Sequence, residues 1–327
     1  MHKNIMKTVI AVSVAATIGC SAASAGEAPQ IPPFDKKVYI TNRDTLYCFD
    51  EKGKIESELK LPVGRLFGSV HFLKNGNILC LDGHQLVICD PEGKEIFKFK
   101  GRKGSCSRWF KPLDNGNILF QESSPVVKKA GEDGKVIRVP EGFPRIIEVS
   151  LEGKGKIVNQ VELELNELGK MDISYQIRDV KYRPNGNILV AHQELRAVNE
   201  YAPDGGFLKT LFKPEKGAPH SLYVCKNGNT LVTTIEGNAA GVFEVDQTGE
   251  IVWHILRADI PEAQLQYLPM VKRLENGNTL IVNHKGHRKE WSGFPLIEVS
   301  PDKKIVHALT DNQTIRVSRW ATLKEEK

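Results

Sequence analysis

One tripeptide, Asn-Gly-Asn (NGN), occurs five times in this chain and constrains its fold more than any other feature. The copies begin at Asn75, Asn115, Asn185, Asn227 and Asn276, and each is followed by Ile or Thr and then by Leu. Asn-Gly between two apolar runs is a strong signal for a β-hairpin, because a type I′ turn needs positive φ at both central residues and both residue types tolerate it. We therefore expect each copy to close a tight hairpin.

A second kind of turn follows four of the predicted strands. It contains Asp and Gly, at Asp50–Gly53, Asp90–Gly93, Asp204–Gly206 and Asp246–Gly249. Each repeat is therefore predicted to form four antiparallel strands, most clearly in the stretch 221–255. The usual spacing between NGN copies, about 45 residues, is the length of one propeller blade. One spacing is longer because of the segment 123–142, which is interpreted as an insertion within a blade; the alternative is a degenerate extra blade.

The two ends of the chain complement each other. Residues 37–60 are predicted to form three strands of a blade that lacks its inner strand. Residues 314–323 are predicted to form one inner strand that has no second, third or fourth strand after it. Joined in one blade, they would close the ring and remove free sheet edges. The predicted fold is an all-β, six-bladed β-propeller with four-stranded blades, and only Pro261–Gln266 and Asn166–Met171 have a helical pattern.

The first residues have the pattern of an export signal. Lys3 and Lys7 precede an apolar run that ends in small residues, Ala23 to Ala25, and the run is too short to span a bilayer. We expect a signal peptide over 1–25, a short linker over 26–36 and a single propeller domain over 37–327. The alternative is a lipoprotein signal that ends before Cys20, which would then carry a lipid anchor. Either way we expect an exported protein, in the periplasm, in the medium or in the outer membrane as a lipoprotein, without a transmembrane segment.

Charge and cysteine content exclude several classes of function. The net charge is +5 for 327 residues, and removal of the two signal lysines lowers it by two, so nucleic acid is not an expected partner. No Cys-x-x-Cys spacing occurs, which argues against a zinc site and a disulfide framework. Cys80, Cys89 and Cys225 lie in apolar strand patterns and are expected to be buried thiols.

Two segments carry a resemblance to a known group of proteins. They are HSLYVCKNGNTLV with GVFEVDQTGEIVW, and NGNTLIVNHKGHRKEWSGFPLIEVSPDKKIVHAL. These resemble exported bacterial six-bladed propellers of the quinoprotein-like (PQQ-like) and arylsulfotransferase-like superfamily. The resemblance implies the propeller fold over nearly all of the mature chain, and it would assign to His220 the role of the channel histidine that accepts sulfate in arylsulfotransferases.

Basic residues recur at one position relative to the repeated turn. The seventh residue before the NGN copies is Gly68, Arg108, Arg178, His220 and Pro269 in turn, and Arg319 falls in the matching region of the last inner strand. Such positions lie near one mouth of a propeller channel, where arginines from several blades could bind a carboxylate, sulfate or phosphate. The alternative is that they form structural ion pairs with Asp179, Glu122 or Glu194.

Further polar residues follow the second strands and are predicted at the same mouth. They include His192, Glu194 and His284, which together with Arg108, Arg178, His220 and Arg319 make up the expected ligand-binding set. His284 and His287 could chelate a metal ion, but the neighbouring Lys285, Arg288 and Lys289 oppose a cation, so no metal site is expected. His71, His254 and His307 are interpreted as outer-strand or surface residues without a role.

His220 and Trp253 carry the remaining chemical hypotheses. His220 would face the channel as a catalytic group, a ligand-binding group or a structural imidazole. Trp253, after Asp246-x-x-Gly249, resembles part of the tryptophan-docking motif of quinoprotein dehydrogenases, but it is interpreted as packing between blades, so no cofactor is expected.

Two functions remain open from the sequence. The favoured one is a binding protein that holds a small or polymeric ligand, including an anionic ligand or a glycan, or an exported protein partner, at the channel mouth. The alternative is a group-transfer enzyme of the arylsulfotransferase type that uses His220.

Overall fold

A computed structural model describes residues 31–64, 66, 68–82, 84–130, 136–165, 176–235, 239–286 and 290–323. The expected export signal and the helical pattern Asn166–Met171 lie outside the described residues. Within them the chain is built from β-strands, with a short 3₁₀ helix at Pro261–Ala263. No helix in the described part of the chain is long and apolar enough to cross a membrane.

Six four-stranded antiparallel sheets form a ring of blades, which confirms the predicted propeller. From the centre outward, blade 1 contains β4 (His71–Phe72), β5 (Ile78–Asp82), β6 (Gln85–Cys89) and β7 (Glu95–Lys100). Blade 2 contains β8 (Phe110–Pro112), β9 (Ile118–Glu122), β12 (Arg145–Ser150) and β13 (Lys156–Glu162). Blade 3 contains β14 (Asp179–Tyr182), β15 (Ile188–His192), β16 (Ala197–Tyr201) and β17 (Phe207–Phe212).

The remaining blades follow the same order. Blade 4 contains β18 (Ala218–Val224), β19 (Thr230–Ile235), β20 (Gly241–Val245) and β21 (Ile251–Leu256). Blade 5 contains β22 (Tyr267–Arg273), β23 (Thr279–His284), β24 (Leu296–Val299) and β25 (Ile305–Leu309). Blade 6 contains β26 (Ala321–Leu323), β1 (Val38–Asn42), β2 (Thr45–Phe49) and β3 (Ile55–Lys60).

Blade 6 joins the two ends of the chain, as the sequence predicts. Its inner strand β26 pairs antiparallel with β1, with Val38 opposite Leu323 and Ile40 opposite Ala321. The Thr41 backbone N–H donates a further hydrogen bond to the Trp320 carbonyl at 3.0 Å. The ring is therefore closed by backbone hydrogen bonds between the first and the last strand.

The long spacing in the sequence is an insertion within blade 2. Strands β10 (Val126–Ala130) and β11 (Val136–Pro140) form a separate two-stranded hairpin between the second and third strands of that blade. The blade itself remains four-stranded, with the order β13-β12-β9-β8. This confirms an insertion rather than an extra blade.

The NGN turns close hairpins as predicted, but the predicted turn type is wrong. At the first copy, the Gly76 N–H donates to the Leu73 carbonyl and the Leu73 N–H to the Asn77 carbonyl. Gly76 has a φ of 85°, whereas Asn75 is not among the residues with positive φ. This is a type I turn followed by a left-handed glycine, not a type I′ turn. The first Asn instead uses its side-chain oxygen to accept the Asn77 N–H at 3.1 Å.

The second Asn of the motif ties the turn to the third strand of its own blade. In blades 2 to 5 its side-chain amide donates to a glutamate, with the pairs Asn117–Glu148, Asn187–Glu200, Asn229–Glu244 and Asn278–Glu298 at 2.6 to 2.8 Å. In blade 1 the residue paired with Leu79 is Ile88, where the other blades have the glutamate. The motif thus fixes both the turn and its attachment to the next strand.

The core consists of apolar layers between neighbouring blades. Each of six buried clusters draws on adjacent blades, as in the cluster that contains Leu231 of blade 4 and Val271 of blade 5. The five cysteines from Cys48 onward are buried free thiols. Trp253 donates its indole N–H to the Pro301 carbonyl of blade 5 at 2.8 Å, which places it between blades 4 and 5, as expected for a packing residue.

Candidate functional site

A cavity of about 540 Å³ lies on the axis of the ring. It is lined by the first strand of each blade and by residues just before those strands, including Arg108, Arg178, His220 and Arg319. Repeated turns place equivalent residues of different blades at the same height, and this is why positions far apart in sequence meet here. The structure therefore brings four of the predicted site residues to one cavity.

Three guanidinium groups lie close together in this cavity. The pKa of Arg108 is lowered to about 10, mainly by burial and also by the positive charges of Arg178 and Arg319. The Nε–H of Arg178 donates to the Gln193 side-chain carbonyl. The Arg319 guanidinium carbon lies 5.7 Å from the centre of the Tyr267 ring, within the range of a cation–π contact. Gathering these cations costs electrostatic energy, which a bound anion would offset.

His220 stands among these cations as a neutral imidazole. Its side chain is only 7% exposed. Burial lowers its pKa well below 6.5, and the positive charges of Arg178 and Arg319 act in the same direction. Its Nε2 lies 2.8 Å from the Tyr267 hydroxyl, whereas its Nδ1 is buried without a hydrogen-bond partner among the described residues.

The Tyr267–His220 pair offers a proton donor in either arrangement of its hydrogen bond. If the Tyr267 O–H donates to Nε2, the proton of the neutral imidazole is on Nδ1. If Nε2–H donates to the Tyr267 oxygen, the phenol proton is available and Nδ1 carries a lone pair. One group of the pair can thus donate to a ligand oxygen in each case.

Tyr267 is the site residue that sequence reasoning missed. Counting back from the NGN copy reaches Pro269 in this blade, but the pairing of β22 with β23 shifts register between Tyr267 and Met270. That shift carries Tyr267 toward His220. The only signal for Tyr267 in the sequence is a tyrosine at the beginning of a predicted inner strand. Counting back from the NGN copy cannot find it, because the count assumes a regular register.

His284 supports the site from behind Tyr267. It ends β23, is buried, and its ring stacks on Tyr267 with the centroids 4.4 Å apart. Its Nδ1 accepts the Gly286 N–H at 2.9 Å. His287, the other member of the predicted chelating pair, lies outside the described residues. Among those that are described, no group of three His, Cys, Asp or Glu side chains is arranged to hold a metal ion.

The structure does not bring His192 and Glu194 to this cluster. The Nδ1–H of His192 donates to the Gln176 carbonyl at 2.6 Å, and its Nε2 accepts the Tyr201 hydroxyl at 2.9 Å, inside blade 3. Glu194 is exposed in the turn between β15 and β16. His192 is the last residue of β15 and its side chain points into the blade, whereas Glu194 lies in the turn after β15 and is exposed to solvent.

Two of the carboxylates considered as partners for the arginines are engaged elsewhere. Glu122 forms an ion pair with Arg145 at 2.6 Å. Asp179 forms an ion pair with Lys181 at 2.5 Å, and its other oxygen accepts the Leu222 N–H at 2.8 Å. These contacts fix blades 2 and 3 and the irregular strand β18.

His71 also lines the cavity, so its interpretation as an outer-strand or surface residue is wrong. It begins the innermost strand of blade 1, and its ring meets Phe110 edge-on at 5.2 Å. The error arose because β4 has only two residues, too few for an alternating pattern to reveal which strand it is. His254 and His307 do lie on outer strands, β21 and β25.

The cavity as a whole is cationic. Its described lining contains six lysines and arginines and a single carboxylate, Asp179; the six are Arg108, Lys111, Arg178, Lys181, Lys272 and Arg319. A narrow cavity between apolar walls focuses such a field. Anions would therefore be concentrated at this site.

Comparisons with known proteins support the architecture. No protein-family model matches the sequence, and no curated protein matches it significantly. A solved structure of a protein of unknown function from Bacteroides caccae aligns over 88% of this chain and 97% of its own, with a TM-score of 0.69 and 22% identity. The chain is a six-bladed β-propeller.

More distant structures share the fold with lower identity. A streptogramin B lyase aligns over 85% of this chain and 83% of its own, with a TM-score of 0.53 and 14% identity. A chain of a nidogen/laminin complex aligns over 88% of this chain and 97% of its own, with a TM-score of 0.57 and 10% identity. These propellers have different functions, so the likeness extends to the fold alone.

Proposed function

We propose that this protein binds a ligand bearing a carboxylate, sulfate or phosphate group in its central cavity. The observation that carries the proposal is the group of Arg108, Arg178 and Arg319 around the buried, neutral His220. A small molecule, the end of a glycan or the end of an exported protein partner could supply the anionic group. The proposed function is binding, and it includes no catalytic step.

The chemistry of the side chains favours an oxyanion. A guanidinium group can donate two parallel hydrogen bonds to a carboxylate, sulfate or phosphate. The Tyr267–His220 pair, whose hydroxyl and Nε2 lie 2.8 Å apart, adds a neutral hydrogen-bond donor. Such a donor can bind the anion without adding to the repulsion among the arginines. Burial strengthens each of these interactions relative to water.

The binding site is tested by calorimetry with benzoate, sulfate and inorganic phosphate. Arg178→Ala is expected to weaken binding of the preferred anion by about 1.5 to 3 kcal/mol, the scale of a hydrogen bond to a charged group, without loss of folding. Arg178→Lys retains the charge but loses the bidentate geometry and should recover only part of the affinity. Arg316→Ala, at an exposed arginine that does not line the cavity, is the matched control.

Two outcomes would contradict the site. One is a wild-type protein that binds none of the three anions. The other is unchanged affinity in the alanine variants of Arg108, Arg178 and Arg319.

A group-transfer reaction at His220 is the second candidate. The neutral imidazole of His220 in the cavity lining favours it, because an unprotonated ring nitrogen can act as a nucleophile. In this reaction an imidazole nitrogen would attack the sulfur of an aryl sulfate, the bond from sulfur to the aryl oxygen would break, and the phenolate would leave before a second phenol accepts the sulfuryl group. Resemblance to arylsulfotransferase-like propellers supports the same reaction.

Turnover of an aryl sulfate reporter separates this candidate from simple binding. We expect His220→Ala to abolish turnover while largely retaining anion affinity, and His220→Asn, which keeps a hydrogen-bonding side chain, not to restore it. Turnover that survives in His220→Ala would remove His220 from the chemistry.

We also propose that the protein acts outside the cytoplasm. The basic and apolar pattern before Ala25 supports export, with Cys20 as the alternative lipid-bearing terminus. Mass spectrometry of the protein from its native cell envelope should find a mature terminus near Gly26, or a lipid-modified Cys20. An intact Met1 in a cytoplasmic fraction would contradict export.

A further inference from the structure

A second cavity, which we call the rim pocket, has a volume of about 470 Å³. It lies between the segment before β22, the connection after β23 and the segment that leads into β26. First strands begin and second strands end on one face of the ring, so the rim pocket lies on the same face as the arginines of the central cavity. Its lining includes Gln264, Trp291, Ser292, Asn312, Gln313 and Arg316.

Trp291 supplies an apolar surface that is held in place. Its indole N–H donates to the Gln264 carbonyl at 3.0 Å. The ring also lies against Gly293, where a Cβ would stand 2.6 Å from the indole Nε1 and Cε2 atoms. The indole can approach so closely because Gly293 has no side chain. With its one polar group bonded, the partly exposed ring offers only apolar atoms to a ligand.

Amide and hydroxyl groups accompany the indole and tie the three segments together. The Gln264 side-chain amide donates to the Ser292 hydroxyl at 2.6 Å. The Asn312 amide donates to the Gly293 carbonyl at 3.1 Å, and the Gln313 amide donates to the Asn312 side-chain oxygen at 3.2 Å. The rim pocket is thus organised before a ligand arrives, which reduces the entropy lost on binding.

The charges of the rim pocket differ from those of the central cavity. The described part of its lining contains one carboxylate, Glu290, and two cations, Lys285 and Arg316. Arg316 already donates to the Gln313 carbonyl at 3.0 Å and to the Gln313 side-chain oxygen at 2.7 Å. These two features favour a neutral polar ligand over an oxyanion, because an oxyanion would meet a carboxylate and an engaged guanidinium.

We propose that the rim pocket binds a neutral pyranose unit of an oligosaccharide. A pyranose with equatorial hydroxyl groups has flat C–H faces that pack against an indole, and its hydroxyl groups lie around the edge. Each hydroxyl can donate and accept hydrogen bonds, as the amide side chains and the Ser292 hydroxyl of the pocket also can. The volume lies within the range of about 300 to 1,000 Å³ of small-molecule pockets. This inference goes beyond the proposed anion site and does not depend on it.

The indole favours sugars of glucose configuration. In β-linked glucose and N-acetylglucosamine units the ring substituents are equatorial, so both faces of each ring are apolar. Cellohexaose and chitohexaose are therefore the probes, and sorbitol, which has hydroxyl groups but no ring, is the reference. By calorimetry we expect at least one hexasaccharide to bind with a Kd of about 1 mM or lower, and sorbitol not to bind at the same concentration.

Substitutions of Trp291 locate the binding. Trp291→Ala should weaken binding of the hexasaccharide by about tenfold or more, equivalent to about 1.4 kcal/mol, because the surface on which the pyranose packs is lost. Trp291→Phe keeps an aromatic face and should weaken binding by no more than about threefold. Thermal unfolding of each variant establishes that it is folded.

Tryptophan fluorescence gives a readout that a merely structural role of Trp291 would not move. The hexasaccharide should change the fluorescence of the wild type and of Trp253→Phe. The latter is the matched control, because the Trp253 indole donates to Pro301 and does not line the rim pocket. Trp291→Phe should bind the hexasaccharide without this change. That result would place the ligand at Trp291 even where Trp291→Ala does not fold.

Ionic strength separates the rim pocket from the anion site. The affinity for a neutral saccharide should stay constant between about 0.05 and 0.5 M NaCl, a range over which attraction between exposed charges weakens. A marked loss of affinity with salt would overturn the inference. It would also be overturned if neither hexasaccharide binds, or if the Trp291 variants keep the affinity and the fluorescence change of the wild type. Saccharide binding and anion binding can each fail without the other, so the two experiments test separate sites.

Discussion

At the scale of single residues, His192 is a buried structural residue, although its position in the sequence predicts a place at the binding site. Its Nδ1–H and Nε2 are both hydrogen-bonded within blade 3, to Gln176 and Tyr201. The bond from Tyr201 requires a neutral ring, because Nε2 accepts it with its lone pair. Protonation would therefore break the bond from Tyr201 and leave a charge in the protein interior.

The pH dependence of stability follows from this arrangement. Burial lowers the pKa of His192 in the folded protein to about 4, below the ordinary value of 6.5. Because the unfolded chain takes up the proton first, this contribution is complete above pH 6.5 and is lost as the pH falls toward 4. Between pH 7.5 and pH 5 it amounts to about 2 kcal/mol of unfolding free energy.

Urea unfolding of wild type and His192→Gln at the two pH values isolates this contribution. The variant is expected to be less stable at pH 7.5 but to lose less stability on acidification, because it lacks the buried imidazole of His192. His71 and His220 remain in both proteins, so their contributions cancel in the comparison. Identical losses in the two proteins would show that His192 does not carry the dependence.

The candidate site could be predicted from the sequence only where the repeat has regular spacing. Counting from the NGN copies finds Arg108, Arg178 and His220, because a hairpin fixes the distance between its turn and the start of its first strand. Tyr267 escapes the count because the register of β22 shifts before it. His71 escapes because its strand is too short to show a pattern.

At the scale of elements, the NGN hairpins depend on one left-handed residue rather than two. Gly277 has a φ of 85°, and a Cβ at this position would meet nothing within 4 Å. A substitution there consequently measures the backbone conformation without a clash. The sequence predicts the hairpin correctly, but the side-chain bonds of the second Asn, such as Asn278 to Glu298 at 2.7 Å, depend on a strand that follows later in the chain.

Gly277→Ala is expected to lower the free energy of unfolding by about 1 to 2 kcal/mol, the cost of placing an L-residue in the left-handed region. Gly277→Asn should cost less, because Asn adopts this region more readily. Urea unfolding of both variants gives the comparison. An alanine variant as stable as wild type would mean that the turn tolerates another conformation.

At the scale of the whole molecule, the ring is held by blade-to-blade layers and by the pairing of β26 with β1. The sequence predicts this closure because the two unmatched ends add up to one blade. It could not predict the shape of the cavity, since that depends on where six separate strands place their side chains. The cationic lining is thus a property of the assembled ring rather than of any one repeat.

Deleting residues 314–327 removes β26 and should unfold the entire domain. The loss exposes the edge of β1 and the apolar layers on both sides of blade 6. Thermal unfolding should show no cooperative transition. As a control, replacing residues 127–139, within the β10–β11 hairpin, by a short Gly-Ser linker removes a similar length of chain from outside the ring and should leave the melting temperature nearly unchanged. A truncated protein that keeps its melting temperature would contradict closure by the last strand.

The shared blade also sets the order in which the protein can be completed. Thr41 in β1 and Trp320, which immediately precedes β26, are hydrogen-bonded and lie 279 residues apart in the sequence. Bringing such distant segments together costs about 5 kcal/mol of loop entropy, and contacts at this separation form late. Five blades can assemble as the chain is synthesised, whereas the first strands made must wait for the last. Until that strand arrives, β1 presents an unpaired edge to other chains, so the interval before the end of synthesis is when we expect this protein to be most prone to aggregation.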